Sequence, residues 1–472
     1  MEFKSVLLLR VSSAVDKDVD HPQFFDPPYA LKYIQAGLQC YPELSVHLLD
    51  GWIQPRPVSY LLDEVARLRP QVIVVSASSF EIDVANAFVA AVKQQPRPPW
   101  VIGIGQGHYL NRDVHNASDG MYDAILLGEP EQEFFRLWAW MQSNDAAAGG
   151  WQEYYRQGYA EDQRCVVTDP DGLPFPSYTP AELTAYKSIY PVPLKQRVTW
   201  GFLIATRGCP YPCNFCSEVM RVSSGTKIRS RSATNVADEM AHLARQGVTI
   251  CSFQDDSFST NRRFVRALCE ELLARHSTMP WMARVRVDEI DYDLLALMRQ
   301  AGCRMLGMGV EAGSQRIIDL IQKNFKPKPW AERCRQAFRW ARELGIGTNA
   351  YYIIGNPTET REEIAQTIAL ALELNADTIQ VHFYTPYPGS AAWDLYKDGL
   401  GEHDLTKMFH YAVPVVSFAK VSAEELVQLR AKFYRRYLFR PTFAWRHFRR
   451  YAGFYWHNPD VFWSLLGIRR VL

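Results

Sequence analysis

Three cysteines carry the sharpest chemistry in this chain. In TRGCPYPCNFCSE, Cys209, Cys213 and Cys216 stand as Cys-x-x-x-Cys-x-x-Cys. Three thiolates on one tight loop can each hold one iron of a 4Fe-4S cube, which leaves the fourth iron without a protein ligand. A structural zinc site needs a fourth ligand, and no nearby His or Cys completes the set at finger-like spacing. A two-cluster ferredoxin run also needs a fourth Cys. The loop therefore predicts an iron centre open to a small chelating ligand. Nine cysteines in 472 residues are too sparse and uneven for a disulfide framework. Cys251, Cys303 and Cys334 fall within strand and helix patterns and read as small buried hydrophobes.

The elements that would position this loop are legible as periodicity. From about 201 to 395, six short apolar runs (FLIATRG, VTICSFQDD, WMARVRV, RMLGMGVEAG, GTNAYYIIG and TIQVHFYTP) alternate with stretches of helical spacing such as ATNVADEMAHLARQ and REEIAQTIALALEL. Such alternation predicts a partial or full α/β barrel with its chemistry at the C-terminal ends of the strands. Residues 1–142 alternate in the same way. VLLLR, SVHLL, QVIVVSAS, WVIGIG and DAILLGE read as buried parallel strands of a doubly wound Rossmann or flavodoxin-like domain. Residues 143–200 turn polar and Pro-rich (SNDAAAGG, PDGLPFPSYTP) and read as a connector. Residues 396–472 form a helical C-terminal region, where RAKFYRRYLFRPTFAWRHFRRYAGFYW interleaves basic and aromatic residues at helical spacing.

Composition narrows the partners. Lys+Arg 52 against Asp+Glu 51 gives a net charge of +1, so no global field gathers a polyanion and no nucleic-acid partner is expected. No run of eighteen apolar residues occurs and the N-terminal VLLL is too short for a signal peptide, which predicts a cytoplasmic protein that does not span a membrane. The basic-aromatic tail fits an anionic membrane surface, giving peripheral membrane contact, or alternatively a helix pair packing its aromatics on the barrel.

The cysteine loop resembles that of the radical S-adenosylmethionine (SAM) enzymes. The resemblance extends over the second domain, because FQDDSFS, RVRVDEI, GMGVEAGSQ, YYIIGNPTET and YTPYPGS stand at strand ends in the family's order. It implies that the methionine amino and carboxylate groups of SAM chelate the fourth iron. A reduced cluster, supplied by an external one-electron donor such as a flavodoxin or ferredoxin, would cleave SAM to a 5′-deoxyadenosyl radical. The implied SAM contacts are Asp255 and Asp256 toward the ammonium, Arg286 or Arg284 toward the carboxylate, Glu311 toward ribose or amino groups, and Gly355 in an adenine-supporting turn. Asp256 or Ser259 would alternatively cap the next helix, and either arginine could instead pair with Glu311 or Asp256. His382, Tyr384 and Tyr387 face either the substrate region or the barrel core.

With this neighbour, the first domain resembles the cobalamin-binding domain of the cobalamin-dependent branch. Ser76 and Ser78, the loop Gly105, Gln106, Gly107 and His108, and Gly128 and Glu129 would line the cofactor groove. Two departures stand out. The Asp-x-His-x-x-Gly signature is absent, so no His is assigned as lower axial ligand, and Pro130 replaces a glycine in Gly128-Glu129-Pro130-Glu131. The resemblance implies three cofactors (4Fe-4S cluster, SAM, cobalamin) and modification of an unactivated carbon in a small-molecule or lipid-like substrate, by C-methylation through methylcobalamin. The alternatives are a non-methylating cyclase or rearrangement enzyme of the same architecture, and a non-enzymatic cobalamin or iron-sulfur sensor.

Overall fold

The computed structural model describes residues 3–12, 26–111, 121–143, 150–161, 163–188, 190–216, 225–387, 390–400, 414 and 416–467. Ser217 and Glu218 of the cysteine motif, Pro388 and Gly389, and most of SNDAAAGG lie outside them.

Continuous apolar runs become buried parallel strands, because a strand covered by helices on both faces has no side for polar residues. Five make the first sheet: β1 (Ser5–Arg10), β2 (Ser45–Asp50), β3 (Val72–Ser76), β4 (Trp100–Ile104) and β5 (Ala124–Gly128). A short β6 (Arg164–Cys165) extends it, and the order is β2-β1-β3-β4-β5-β6 with every pairing parallel. This is the flavodoxin-like winding, whose direction reverses beside β1 and β3.

The second sheet holds β7 (Trp200–Leu203), β10 (Ile250–Phe253), β11 (Trp281–Val285), β12 (Cys303–Glu311), β13 (Gly347–Ile354) and β14 (Thr378–Phe383). Its order β14-β13-β12-β11-β10-β7 is parallel and runs one way around, giving a partial barrel. Between β7 and β10, β8 (Thr206–Arg207) and β9 (Arg229–Ser230) pair antiparallel at the base of the cysteine loop. The barrel helices start on side-chain caps, except Trp330–Glu343, which follows Pro329. Asn261 accepts from the Phe264 amide (3.1 Å), and Thr360 forms a reciprocal capping box with Glu363. The cap of helix 262–274 is thus Asn261, not Asp256 or Ser259, both of which are engaged elsewhere.

Within the connector 143–200 the structure forms further elements. Helix Gly150–Ala160 lays Trp151 and Tyr155 into the core under the first sheet, and β6 follows it. The α/β layer therefore runs on to Cys165. Pro180–Ala185 is a further short helix, with Thr179 as its cap.

Three large apolar cores result, with a small fourth cluster of Tyr33, Val167 and Leu173. Two lie on the faces of the first sheet and one fills the barrel's outer layer, where Phe433, Tyr437, Phe443 and Phe454 of the C-terminal helices join the barrel core. Packing on the barrel thus accounts for part of the tail's aromatics. Trp393 and Leu400, just past the barrel, bury themselves in a core of the first domain. Among the described residues no helix is long and apolar enough to cross a membrane.

Charged clamps join the first domain to the β8–β9 pair, and others close the ends of its own strands. Glu129 takes Arg229 in two contacts (2.5 and 3.0 Å), and Arg207 donates to Glu131 at 2.8 Å. Arg10 and Asp50 pair at the ends of β1 and β2, and Tyr186 of the connector donates to Asp50 at 2.8 Å.

Candidate functional site

The cysteine loop starts from Gly208, whose φ of +90° and Cβ direction, 2.3 Å from the Lys227 carbonyl, exclude any side chain. Asp256 accepts the Gly208 amide at 3.0 Å, and the Cys209 amide donates to Gly225 at 3.1 Å. Asp255 ties the strand leading in: its two oxygens accept from the Ala205 and Thr206 amides and from the Thr206 hydroxyl at 2.7–2.9 Å. Burial pushes its carboxyl up to about 6 against those bonds.

Cys213 is buried and Cys209 and Cys216 are partly so. Burial raises the thiols of Cys209 and Cys216, and the neighbouring cysteines raise Cys216 further. Iron binds the thiolate form, and the positive charge of an iron-sulfur core would favour that form at Cys209 and Cys216 against their burial. Among the described residues no three His, Cys, Asp or Glu side chains converge as around a single ion. A cube asks for something else, since each thiolate binds a different iron. The donor set fits a 4Fe-4S cluster.

Arg286 stands against this loop. Its guanidinium donates to Cys213 Sγ at 3.5 Å, pairs with Asp288 at 3.0 Å, and lies 3.6 Å over the Tyr211 ring. Its acid is therefore Asp288, neither Glu311 nor Asp256.

Glu311 closes β12 in the left-handed region (φ +65°), an uncommon conformation for a side-chain-bearing residue, beside a register shift between Gly309 and Glu311. It pairs with Lys323 at 2.8 Å, and both side chains are buried. Burial works to lower the Lys323 ammonium, yet the adjoining Glu311 carboxylate wins and its pKa rises. Gly309 leaves the space: a Cβ there would stand 2.2 Å from the Glu311 carboxylate. Lys323 has no sequence signal, because it sits in a loop and reaches back to the strand end. Gly355 adopts φ +81°, and a Cβ there would stand 2.8 Å from Leu426 of the C-terminal helix, so its role is a turn against that helix.

Inside the barrel, Arg284, Gly309, Tyr351, Ile353, Gln380 and His382 are half-buried between fully buried neighbours. Registered partners share a face, and Gly309 pairs with Tyr351, Tyr351 with Gln380, and Ile353 with His382. These residues line one concave inner face. The Tyr351 hydroxyl meets that of Tyr190 at 2.6 Å, and Arg284 donates to Gln254 at 2.7 Å. Asp26, from the loop before the first helix, lies near Arg284 and Arg10; burial raises its carboxyl although both guanidiniums oppose it. Gln254, Tyr190, Tyr351 and Asp26 were not singled out by sequence. Of the substrate candidates, His382 faces this interior and stacks on Tyr351 at 6.3 Å. Tyr384 does not: it is buried beneath Tyr396 and Phe418. Tyr387 is half-buried, and its carbonyl caps Ser390.

The first domain's candidates are largely committed to the protein itself. His108 is buried edge-on to Tyr122, with neither ring nitrogen hydrogen-bonded among the described residues, and burial pushes its pKa down to about 3. Its ring occupies the space that Gly103 leaves open. Glu129 clamps Arg229 and accepts the Val167 amide at 2.7 Å. Ser78 donates to Glu81 at 2.7 Å. Gly105 (φ +97°) and Gly107 permit close approach to the Ala77 and Ser78 carbonyls. Ser76, Gln106 and Gly128 remain half-buried at strand ends. Pro130 begins helix 130–142, where a missing amide costs nothing.

Residues 203–371 match the Radical SAM superfamily, so the barrel behind the open α/β domain is a radical SAM domain, whose cofactors are a 4Fe-4S cluster and SAM. An uncharacterized methyltransferase of Pyrococcus horikoshii is 24% identical over 436 residues, covering 91% of each chain. An anaerobic magnesium-protoporphyrin IX monomethyl ester cyclase of Rubrivivax gelatinosus is 26% identical over 438 residues, 88% of this chain and 74% of the cyclase. The structure of the radical SAM methyltransferase TsrM from Kitasatospora setae, with cobalamin and a [4Fe-4S] cluster bound, superposes with a TM-score of 0.60 at 17% identity, covering 84% of this chain and 75% of TsrM.

Proposed function

We propose that this chain is a cobalamin-dependent radical SAM enzyme that methylates an unactivated carbon of a small-molecule or lipid-like substrate. The observation that carries this reading is the confrontation of strand ends. Arg10 and Asp50 close β1 and β2, Arg284 lies near the end of β11, and Asp26 stands between the two sets in a buried polar layer. In open α/β sheets and barrels alike, ligands sit at those ends, so two ligands held by the two sheets would face one another across the substrate. The methyltransferase relative aligned over nearly its whole length supports the reaction class.

The cluster and SAM supply a radical able to take a hydrogen atom, and cobalamin supplies the methyl group. This chain's residues do the rest. Cys209, Cys213 and Cys216 hold the cluster, and Asp255 and Asp256 fix the strand end and loop that carry them. Glu311 and Lys323 offer a buried carboxylate-ammonium pair toward the polar groups of SAM. Arg284, Tyr351 and His382 orient the substrate and, with the clamps between sheets, keep water out. The strand-end backbone of residues 76–78 and 105–107, with Ser76 and Gln106, would hold cobalamin, and His108 is turned into the core. A one-electron donor completes the system.

Cobalamin content after anaerobic purification from cobalamin-fed cells tests the reading. Near-stoichiometric cobalamin is expected, and its absence would overturn it. The cyclase relative favours a second reading, ring closure without methyl transfer. Product mass separates the two, because methylation adds one carbon.

A further inference from the structure

The far end of the barrel carries a feature that the proposed reaction does not use. A pocket of about 430 Å³ there is lined by Arg299, Arg304, Arg446, Arg449 and Arg450, together with Pro193 and Gly345. Arg304 opens β12 and Gly345 precedes β13, so the pocket lies at the N-terminal ends of the strands, opposite Glu311 and Gly355. At roughly 3.3 Å per residue, the nine residues of β12 separate the two ends by about 30 Å. No carboxylate lines the pocket; Asp377 reaches Arg450 from outside it at 3.5 Å. Burial and the facing Arg299 both disfavour the charge on Arg304. The Nε of Arg446 is buried without a hydrogen-bond partner among the described residues. Gathered cations with an unpaired buried donor call for an oxyanion of phosphate or carboxylate type.

The helix that supplies three of these arginines, Pro441–His457, has two apolar faces. One packs Phe443, Tyr451 and Phe454 on the barrel. With 3.6 residues per turn, Trp445, Phe448, Arg449 and Trp456 share the opposite face, Arg446 flanks it, and Arg450 lies toward the barrel side. Trp445, Phe448 and Trp456 are 65%, 64% and 83% exposed, and Trp463 on the next helix is 67% exposed. From Arg430 to Gly467 the sequence holds one acidic residue, Asp460, against eight Lys and Arg, all between Arg430 and Arg450. Large aromatics mixed with arginines on an outward face match the boundary of an anionic bilayer, where rings sit at headgroup depth and guanidiniums meet phosphates.

We infer that the N-terminal face of the barrel and helix 441–457 dock this enzyme on an anionic phospholipid surface, with a lipid phosphate in the five-arginine pocket and Trp445, Phe448 and Trp456 entering the headgroup layer. The catalytic mouth then points away from the bilayer. Docking anchors the enzyme, and substrate enters from the water side.

The test is co-sedimentation of the full chain with vesicles of phosphatidylcholine alone and of phosphatidylcholine with phosphatidylglycerol. Binding is expected only to the anionic vesicles and should weaken in high salt. Arg449→Glu and the double variant Trp445→Ala/Phe448→Ala, all at exposed positions, should each reduce the bound fraction roughly tenfold or more while the thermal midpoint stays unchanged. Variants that bind like the parent would overturn the proposal. So would a parent chain that ignores anionic vesicles yet is stabilised by inorganic phosphate, which would make the pocket a soluble-anion site. A parent dimer that Trp445→Ala/Phe448→Ala renders monomeric would also overturn it, by assigning the face to a second copy.

Discussion

The strand ends of the two sheets carry similarly polar motifs and use them differently. In the barrel, Arg284, Tyr351 and His382 face a common interior, and Glu311 forms a buried pair beside the cysteine loop. In the first domain, Glu129, Ser78 and His108 turn to other parts of the protein: a clamp, a local turn and a buried aromatic contact. A motif at a strand end fixes where a side chain starts. Where it points is decided by whichever partner compensates best for its burial.

Four experiments would sharpen or break this contrast, and the cluster should give the largest effect. Changing Cys209, Cys213 or Cys216 to Ala should abolish the cluster's visible absorbance and all SAM cleavage. Cys303→Ala, in the barrel core, should retain both, and cleavage surviving in any of the three would refute the ligand assignment. Next come Glu311→Ala and Lys323→Met. Each leaves its partner as a buried unpaired charge and should cost about 3 kcal/mol in urea unfolding, with the double variant recovering much of that loss. Glu311→Ala should also weaken SAM binding by equilibrium dialysis while iron content stays normal; loss of iron would make the pair purely structural.

On the first-domain side, Glu129→Gln should cost about 2 kcal/mol by removing the charge that holds Arg229, without lowering cobalamin content. Lost cobalamin with unchanged stability would return Glu129 to the cofactor groove. His108 should show itself through pH. Its folded pKa, about 3, lies below the unfolded value, so the unfolded chain gains the proton first as pH falls. Stability should drop by about 2 kcal/mol from pH 7 to pH 5 on this account. His108→Phe, which keeps the ring, should flatten that slope; an unchanged slope would mean the imidazole is not buried neutral.

The order of elements was legible because a parallel sheet must be built from short apolar runs, and all six barrel strands stand where such runs occur. The cysteine loop was legible from spacing alone. The helix at 150–160 was missed because WQEYYRQGYA is polar on average and buries only its Trp151, Tyr155 and Tyr159 edge. Lys323, Tyr190 and Asp26 were missed because each reaches the site from a loop far away in sequence, and periodicity does not register such contacts. Asp255 was located correctly at a strand end, but its carboxylate faces backbone amides rather than open space.

The return of Trp393 and Leu400 to the first domain's core sets how the enzyme can turn over. The barrel is pinned to its neighbour where the chain enters it and again where the chain leaves. A molecule tied at both ends cannot gape like a hinge without stripping an aromatic ring from a packed core. Substrate and spent cofactor must therefore exchange while the two halves stay docked, without separation of the domains.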